Sequence, residues 1–269
     1  MTVELAVAAV VAPGGPPLAP WLDFHRRLGV ARFHLYRTGE ADIVGAPDVT
    51  IIDWPFARPH RPAWDHCLFH HGPAAEWLAL LEPDEYLFAT DGTDLPTALA
   101  EFRDAPAVGV ARLIYAPDPA AAVPWQAVRR APASLVLALP TFLAAPGRNP
   151  AEHGSYRPLS ARAGFVVRPD RTWAATGRHG FAFRDGAAAV DENGRPLADG
   201  WADPPSHLRL RINQYLGTVG ETLPTRLTEA APVRARASEA DLEPFRAEID
   251  TAILPIAAAG DVASCKPGA

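Results

Sequence analysis

Trp77-Leu78-Ala79-Leu80-Leu81-Glu82-Pro83-Asp84-Glu85-Tyr86-Leu87 is the stretch on which the fold turns. Its opening residues form a continuous apolar run with neither a helical nor an alternating period. Such a run reads as a strand covered on both faces, as in a parallel sheet buried between helices. The acidic cluster that closes it carries the chemistry. Glu82 and Asp84 are two apart, so in extended geometry their side chains share a face at the C-terminal end of the strand. Open α/β sheets bind ligands outside the carboxyl ends of their strands. Two carboxylates converging on one crevice need a cation, and hard oxygen donors suit Mg2+ or Mn2+, which complete their shells with water and substrate phosphates. On spacing alone, an exposed acidic turn is the alternative.

Upstream, Val3 to Ala12 is a second apolar run that stops at Pro13-Gly14-Gly15-Pro16-Pro17, where no regular element continues. From Pro20 to Leu28, Trp21, Leu22, Phe24 and Leu28 fall at helical spacing, with Pro20 in a first turn and Gly29 at the C-cap. Phe33 to Tyr36 and Val49 to Ile52 read as strands, and Pro62 to His71 as a helix ended by Gly72-Pro73. Downstream, Leu95 to Phe102 reads as a helix and Val108 to Tyr115 as one strand. The alternation predicts an α/β fold with a central, mostly parallel sheet. Leu5 to Val11, Phe33 to Tyr36, Val49 to Ile52 and Trp77 to Leu81 are its expected neighbours. Beyond Pro117 come an Ala/Pro-rich stretch to Pro150, a strand at Gly164 to Val167 and a hairpin around Glu192-Asn193-Gly194. Leu208 to Tyr215 then reads as a strand or a helix start. Residues 1–228 form the expected main domain, and 229–269 a helical segment with a fraying tail.

Composition narrows the function classes. The chain of 269 residues is 48% hydrophobic and 21% charged, ordinary for a globular protein with ample core. No apolar run approaches the ~18 residues of a membrane span, and no basic segment precedes an apolar leader. The expectation is a cytoplasmic protein without an integral membrane segment. A net charge of -6 with scattered basic residues disfavours nucleic acid as a partner. Cys67 and Cys265 are far apart and form no CxxC pair, so both are expected as free thiols.

Common catalytic signatures are missing: the chain holds no GxSxG, GxxxxGK[ST], GxGxxG or HExxH. His66 and His70 are an i, i+4 pair beside Cys67 and His71 that could ligate a metal, but a partly exposed polar helix face explains them better. Trp21, Trp64 and Trp77 sit within apolar periodic segments and read as core. Asp118, Asp185 and Asp191 are candidates for a general base, and nothing in the sequence ranks them.

Several segments, in order, resemble a known group. Trp21 to Tyr36 (WLDFHRRLGVARFHLY) is similar to the "W-x-x-[FY]-H-x-x-x-G-V-x-x-[FY]-x-[LI]-Y" opening of GT-A-like glycosyltransferases of the family 2 and family 92 type. Trp77 to Leu87 resembles that group's "W-[LI]-x-x-x-D-x-D-E-F-[LI]", and Arg61 to Leu68 its "A-[YW]-x-x-C-L" helix. Val166-Val167-Arg168-Pro169, then His179, then Leu210 to Tyr215 look like its "V-R-P", downstream His and "L-x-x-N-H-Y" elements. The resemblance implies a GT-A fold and transfer of a sugar from a nucleotide-diphosphate donor to a glycan or other acceptor. It further implies Mn2+ or Mg2+ on Asp84, Glu82 and His179, and donor contacts from Arg61, Trp64, Asn213 and Tyr215.

Departures stand beside it. Pro13-Gly14-Gly15 replaces the "K-N-E" after the first strand, and Tyr36 to Asp42 departs from "Y-[DN]-N-x-S-x-D". Glu82 replaces the first Asp of the acidic motif, Gln214 replaces the last His, and only Ile114 to Asp118 stands for an aromatic "W-x-x-F-G". Two expectations follow. One is metal-assisted glycosyl transfer; the other is a catalytically degenerate relative that binds a glycan, nucleotide or partner.

Overall fold

In the computed structural model, residues 4–57, 59–115, 124, 163–197, 200, 205–215 and 253–258 are described. Strand β1 (Leu5–Val11) is buried along its whole length. Alternate residues feed two cores: Leu5, Val7, Ala9 and Val11 pack with Trp21, Phe24, Phe33 and Leu35, while Ala6, Ala8 and Val10 pack with Tyr36, Trp64 and Leu78. The small alanines on the second face let Trp64 approach the sheet closely, as dense interior packing requires. Helix α1 (Leu18–Arg27) covers the first face, and helix α2 (His60–His70) covers the second.

The main sheet also contains β2 (Val30–Arg37), β3 (Val49–Asp53), β4 (Trp77–Leu80), β6 (Ala107–Val110), β8 (Gly164–Val167) and β11 (Val190–Asp191), in the order β11-β6-β8-β4-β1-β2-β3. Strands β4, β1, β2 and β3 are parallel neighbours, as the apolar runs predict. Strand β8 is antiparallel to both β4 and β6. A smaller sheet, β5-β12-β7, joins β5 (Glu85–Ala89), β12 (Leu210–Tyr215) and β7 (Arg112–Tyr115). Strands β9 (Thr172–Gly177) and β10 (Gly180–Phe183) make a separate antiparallel hairpin.

Two expectations need correction. The single strand expected over Val108 to Tyr115 divides at Ala111: β6 pairs with β8 in the main sheet, and β7 pairs with β12 in the small one. Both halves are buried and, apart from Arg112, apolar, so the change of partner leaves little mark on the pattern. Glu82 to Glu85 is not extended either. It folds into a turn closed by the Glu85 amide donating to the Glu82 carbonyl at 2.9 Å. Elsewhere Leu95 to Phe102 is helical in two pieces, α3 (Leu95–Leu99) and a 3-10 turn, and Gly194 turns back to Asp191 near the expected hairpin. Cys67 is a buried free thiol; Cys265 lies outside the described residues. Of residues 229–269, the described piece is helix α4 (Ile253–Ala258), whose Ile253 and Ala257 join the first core and whose Ala257 carbonyl accepts from Arg27 at 2.9 Å.

The turn after α1 fixes how that helix meets the acidic segment. Gly29 has φ +92°, and a Cβ there would lie 2.8 Å from Pro96, so glycine is needed twice over. One turn earlier His25 is buried. Its Nδ1 donates to the Trp21 carbonyl at 2.9 Å and its Nε2 accepts the Leu87 amide at 3.2 Å, which requires the neutral ring and ties α1 to β5. Burial lowers its pKa to about 4 from the ordinary ~6.5. The stability His25 contributes is therefore complete above pH ~6.5 and is lost as pH falls towards 4. Urea unfolding across pH 4 to 8 should show His25→Gln weakened at pH 7.5 by ~1–3 kcal/mol, with a shallower loss in acid. Identical acid slopes in variant and parent would contradict this role.

Candidate functional site

Strand β4 delivers Glu82, Asp84 and Glu85 to the carboxyl edge of the parallel strands, and the turn packs the three carboxylates together. Each has a different partner. Glu82 Oε1 lies 2.9 Å from His60 Nε2 at the start of α2 and 3.1 Å from Arg178 Nη2. Burial opposes its ionisation, but the His60 hydrogen bond and the Arg178 charge outweigh that and hold Glu82 below the usual range. Glu85 Oε1 is 2.6 Å from Arg112 Nε, a close ion pair without a well-directed hydrogen bond at that nitrogen, and Oε2 accepts the Glu82 amide at 3.0 Å. Burial nonetheless leaves the Glu85 pKa raised.

Asp84 differs in meeting a neutral amide rather than a cation. Its Oδ2 accepts from Gln214 Nε2 at 3.2 Å and its carbonyl accepts the Tyr215 amide at 2.9 Å. Its Oδ1 is buried with no hydrogen-bond partner. Burial, then the neighbouring charges of Glu85 and Glu82, push its pKa up to about 7.

The β9–β10 hairpin reaches the same place. Gly177 pairs with Gly180, leaving Arg178 and His179 as its tip. Trp64 Nε1 donates to the Arg178 carbonyl at 3.4 Å, and Arg112 Nη2 lies 3.1 Å from His179 Nδ1. A guanidinium has only donors, so Nδ1 accepts and the neutral ring carries its proton on Nε2. In that tautomer His179 offers no lone pair to a cation.

Several expected site residues are thus brought together and others are not. Glu82, Asp84 and His179 meet around Arg112 and Arg178. Arg61 is an exposed residue whose Nε is 3.9 Å from Asp65, and Trp64 is buried core whose indole N–H supports the hairpin tip. Asn213 and Tyr215 are buried too. Asn213 Nδ2 donates to the Tyr215 hydroxyl at 3.2 Å, and Arg211 Nε donates to Asn213 Oδ1 at 2.8 Å, a network internal to the small sheet. Asp191 is consumed by its own turn: Oδ1 accepts the amides of Asn193 and Arg195, each at 2.9 Å, and Oδ2 accepts Arg195 Nε at 2.7 Å. Both of its carboxylate oxygens are thus engaged within the turn. Asp118 and the side chain of Asp185 lie outside the described residues.

Sequence reasoning missed His60, Glu85, Arg112 and Arg178, and it read Gln214 only as the loss of a histidine. Glu85 and Arg178 adjoin motif residues and were within reach. His60 and Arg112 carry no local signal, because their role exists only once α2 and β7 are folded against the turn.

A divalent ion, which the resemblance implies, can be tested against these donors. Asp84 Oδ1 is a hard oxygen with nothing bound to it, and it fits. Glu82 Oε1 is already engaged by two cationic groups, His179 has Arg112 on its ring nitrogen, and no group of three His, Cys, Asp or Glu among the described residues is placed to hold a metal. The residues fit an ion held by one protein carboxylate and completed by substrate oxygens and water, rather than by the three expected ligands.

Comparison with known proteins agrees with the sequence resemblance at the family level. A Ricinus communis protein described as a glycosyltransferase family 92 protein is 22% identical over 105 residues, 36% of this chain and 19% of the relative. An Oryza sativa subsp. japonica protein of the same description is 25% identical over 104 residues, 35% of this chain and 18% of the relative. The chain spans about a fifth of the length of these curated relatives. No family model matches it. This distant similarity supports a transferase resembling glycosyltransferase family 92. No helix among the described residues is long and apolar enough to cross a membrane.

Proposed function

We propose that the chain is a GT-A-like glycosyltransferase that binds a nucleotide-diphosphate sugar at the crevice beside Asp84 and transfers the sugar to a glycan acceptor. The observation that carries this reading is the buried Asp84 Oδ1, which has no partner in a cluster where every other carboxylate is matched by a cation. Such an atom is left for a ligand. Mn2+ or Mg2+ bound there would neutralise charge developing on the leaving diphosphate. Arg178 is the chain's own contribution to the same task. Its guanidinium is about half exposed, and the Glu82 carboxylate and the Trp64 indole hold its position. Arg112 and Glu85 hold the hairpin tip through His179 rather than touching the donor. A binding protein without turnover is the second reading, favoured by Pro13-Gly14-Gly15, which presents no polar side chain after β1.

Melting temperatures measured with UDP-, GDP- and ADP-sugars, with and without Mn2+, test the proposal. A donor at 100 times its dissociation constant adds ~2.7 kcal/mol to folded-state stability, and the expected result is such a rise for one nucleotide class, larger with Mn2+. Slow release of free sugar from the same donor separates enzyme from binding protein. No shift with any nucleotide sugar, with or without metal, would defeat both readings of the crevice.

A further inference from the structure

The β9–β10 hairpin has a second end. At the end away from Arg178 and His179, a groove of about 630 Å3 opens between α2 and β9. This lies within the ~300–1,000 Å3 of small-molecule sites. Two large aromatic side chains border it and are turned to solvent: Phe69 is 77% exposed and Trp173 is 69% exposed. Neither position is a packing necessity, because neighbouring Leu68 and Thr172 make the buried contacts. Arg184 lies 4.5 Å over the Trp173 ring and steadies the indole from one side. Asp65, Asp170 and Thr172 add polar groups to the lining. Asp170 is paired with Arg168 at 2.9 Å and Asp65 lies 3.9 Å from Arg61, so both carboxylates of the lining are balanced by neighbouring arginines.

Flat apolar rings beside hydrogen-bonding groups match the two surfaces of a sugar ring: its C–H face stacks on an aromatic, and its hydroxyls take polar partners at the edge. With its charges paired in this way, the lining suits a neutral sugar. Placement completes the argument. From Trp173 to Arg178 is five steps along one strand, or ~17 Å at ~3.3 Å per residue, so one rigid hairpin joins the groove to the acidic crevice. We infer that this groove is a second carbohydrate site that holds a neutral oligosaccharide, the distal part of the acceptor chain. The acceptor role rests on the glycosyltransferase reading above; the binding of neutral oligosaccharide does not.

Calorimetric titration of the full chain with cellohexaose and chitohexaose, with hexagalacturonate and a proline-rich decapeptide as contrasts, tests the inference. At least one neutral hexasaccharide should bind the parent and should bind Trp173→Ala and Phe69→Ala about tenfold more weakly. Both side chains are exposed, so unchanged melting temperatures should accompany the loss. Asp84→Asn should bind the hexasaccharide as the parent does, and Trp173→Ala should keep the nucleotide-sugar response. Absence of any Trp173-dependent binding of a neutral hexasaccharide overturns the inference. So does Trp173-dependent binding of the decapeptide or of hexagalacturonate in its place. Hexasaccharide binding without any nucleotide-sugar response leaves the groove standing and removes the crevice assignment. The reverse pattern removes only the groove.

Discussion

Arg112→Met is expected to lower the unfolding free energy by ~3–5 kcal/mol, the cost of leaving a buried charge without its partner. Arg112 is almost wholly buried, with Glu85 on one side at 2.6 Å and His179 on the other at 3.1 Å. Methionine fills much of the volume and supplies no charge. Glu85, whose pKa burial already raises, then loses the cation that opposes that rise. Its cheapest response is to bind a proton, so the variant should be relatively more stable at pH 5 than at pH 8. The double variant Arg112→Met/Glu85→Gln should recover part of the loss, since it removes the stranded carboxylate as well. Urea denaturation of the parent, both single variants and the pair at the two pH values measures this. A double variant no more stable than Arg112→Met alone would show that packing, rather than the ion pair, sets the cost.

Asp84→Asn should move stability the other way. The folded-state pKa of Asp84 is raised to about 7, so the stability tied to its proton is present at low pH and is lost as pH rises through 7. Asparagine stays neutral throughout. Its Oδ1 can accept from Gln214, and its amide then faces the Glu82 and Glu85 side. Above pH 7 the variant should exceed the parent by ~2 kcal/mol, or about 5 °C in melting temperature, and the two should converge as pH falls towards 4. The same substitution should abolish the Mn2+-dependent part of any nucleotide-sugar response. In the parent that response should strengthen as pH rises through 7, because a proton and a cation compete for one oxygen. A stabilised variant that has lost the ligand response is the signature of a site held under strain for function. An Asp84→Asn protein that keeps the full Mn2+-dependent response would remove Asp84 from the site.

Much of the scaffold was legible because it depends on short-range signals. The apolar runs of β1 and β4, the spacing of Trp21, Leu22, Phe24 and Leu28, and the punctuation at Gly29 and Gly72 each act within a few residues. The four parallel neighbours follow from them. The acidic cluster was legible as composition but not as shape. Pro83, a residue suited to the second position of a turn, was the available sign that Glu82 and Asp84 do not continue the strand. Charge balance was not legible at all. His60 comes from α2, Arg112 from β7, Arg178 from a hairpin tip and Gln214 from β12, and only tertiary packing decides which of 31 acidic residues they face. Polar residues within matched motifs carry structural bonds that the motifs do not reveal. His25, inside the first matched segment, ties α1 to β5, and Asn213, which the resemblance implies as a donor contact, bonds within the small sheet.

Among the described residues the hairpin pairs in a two-stranded sheet of its own, with no rung shared with either larger sheet. What holds it is α2: the Ala175 amide donates to Asp65 Oδ1 at 2.7 Å, and Ala175 and Phe181 pack in the second core. Side chains on a strand alternate with period two, so inserting or deleting two residues in each strand would keep every remaining side chain on its present face. Each such step would shift the tip relative to the exposed tryptophan by ~6.6 Å, and would need a new seat on α2 for the strand that Asp65 now holds. The hairpin is in that sense an arm clamped at two points, α2 and the acidic turn, and its reach can change only in two-residue steps that keep both clamps closed.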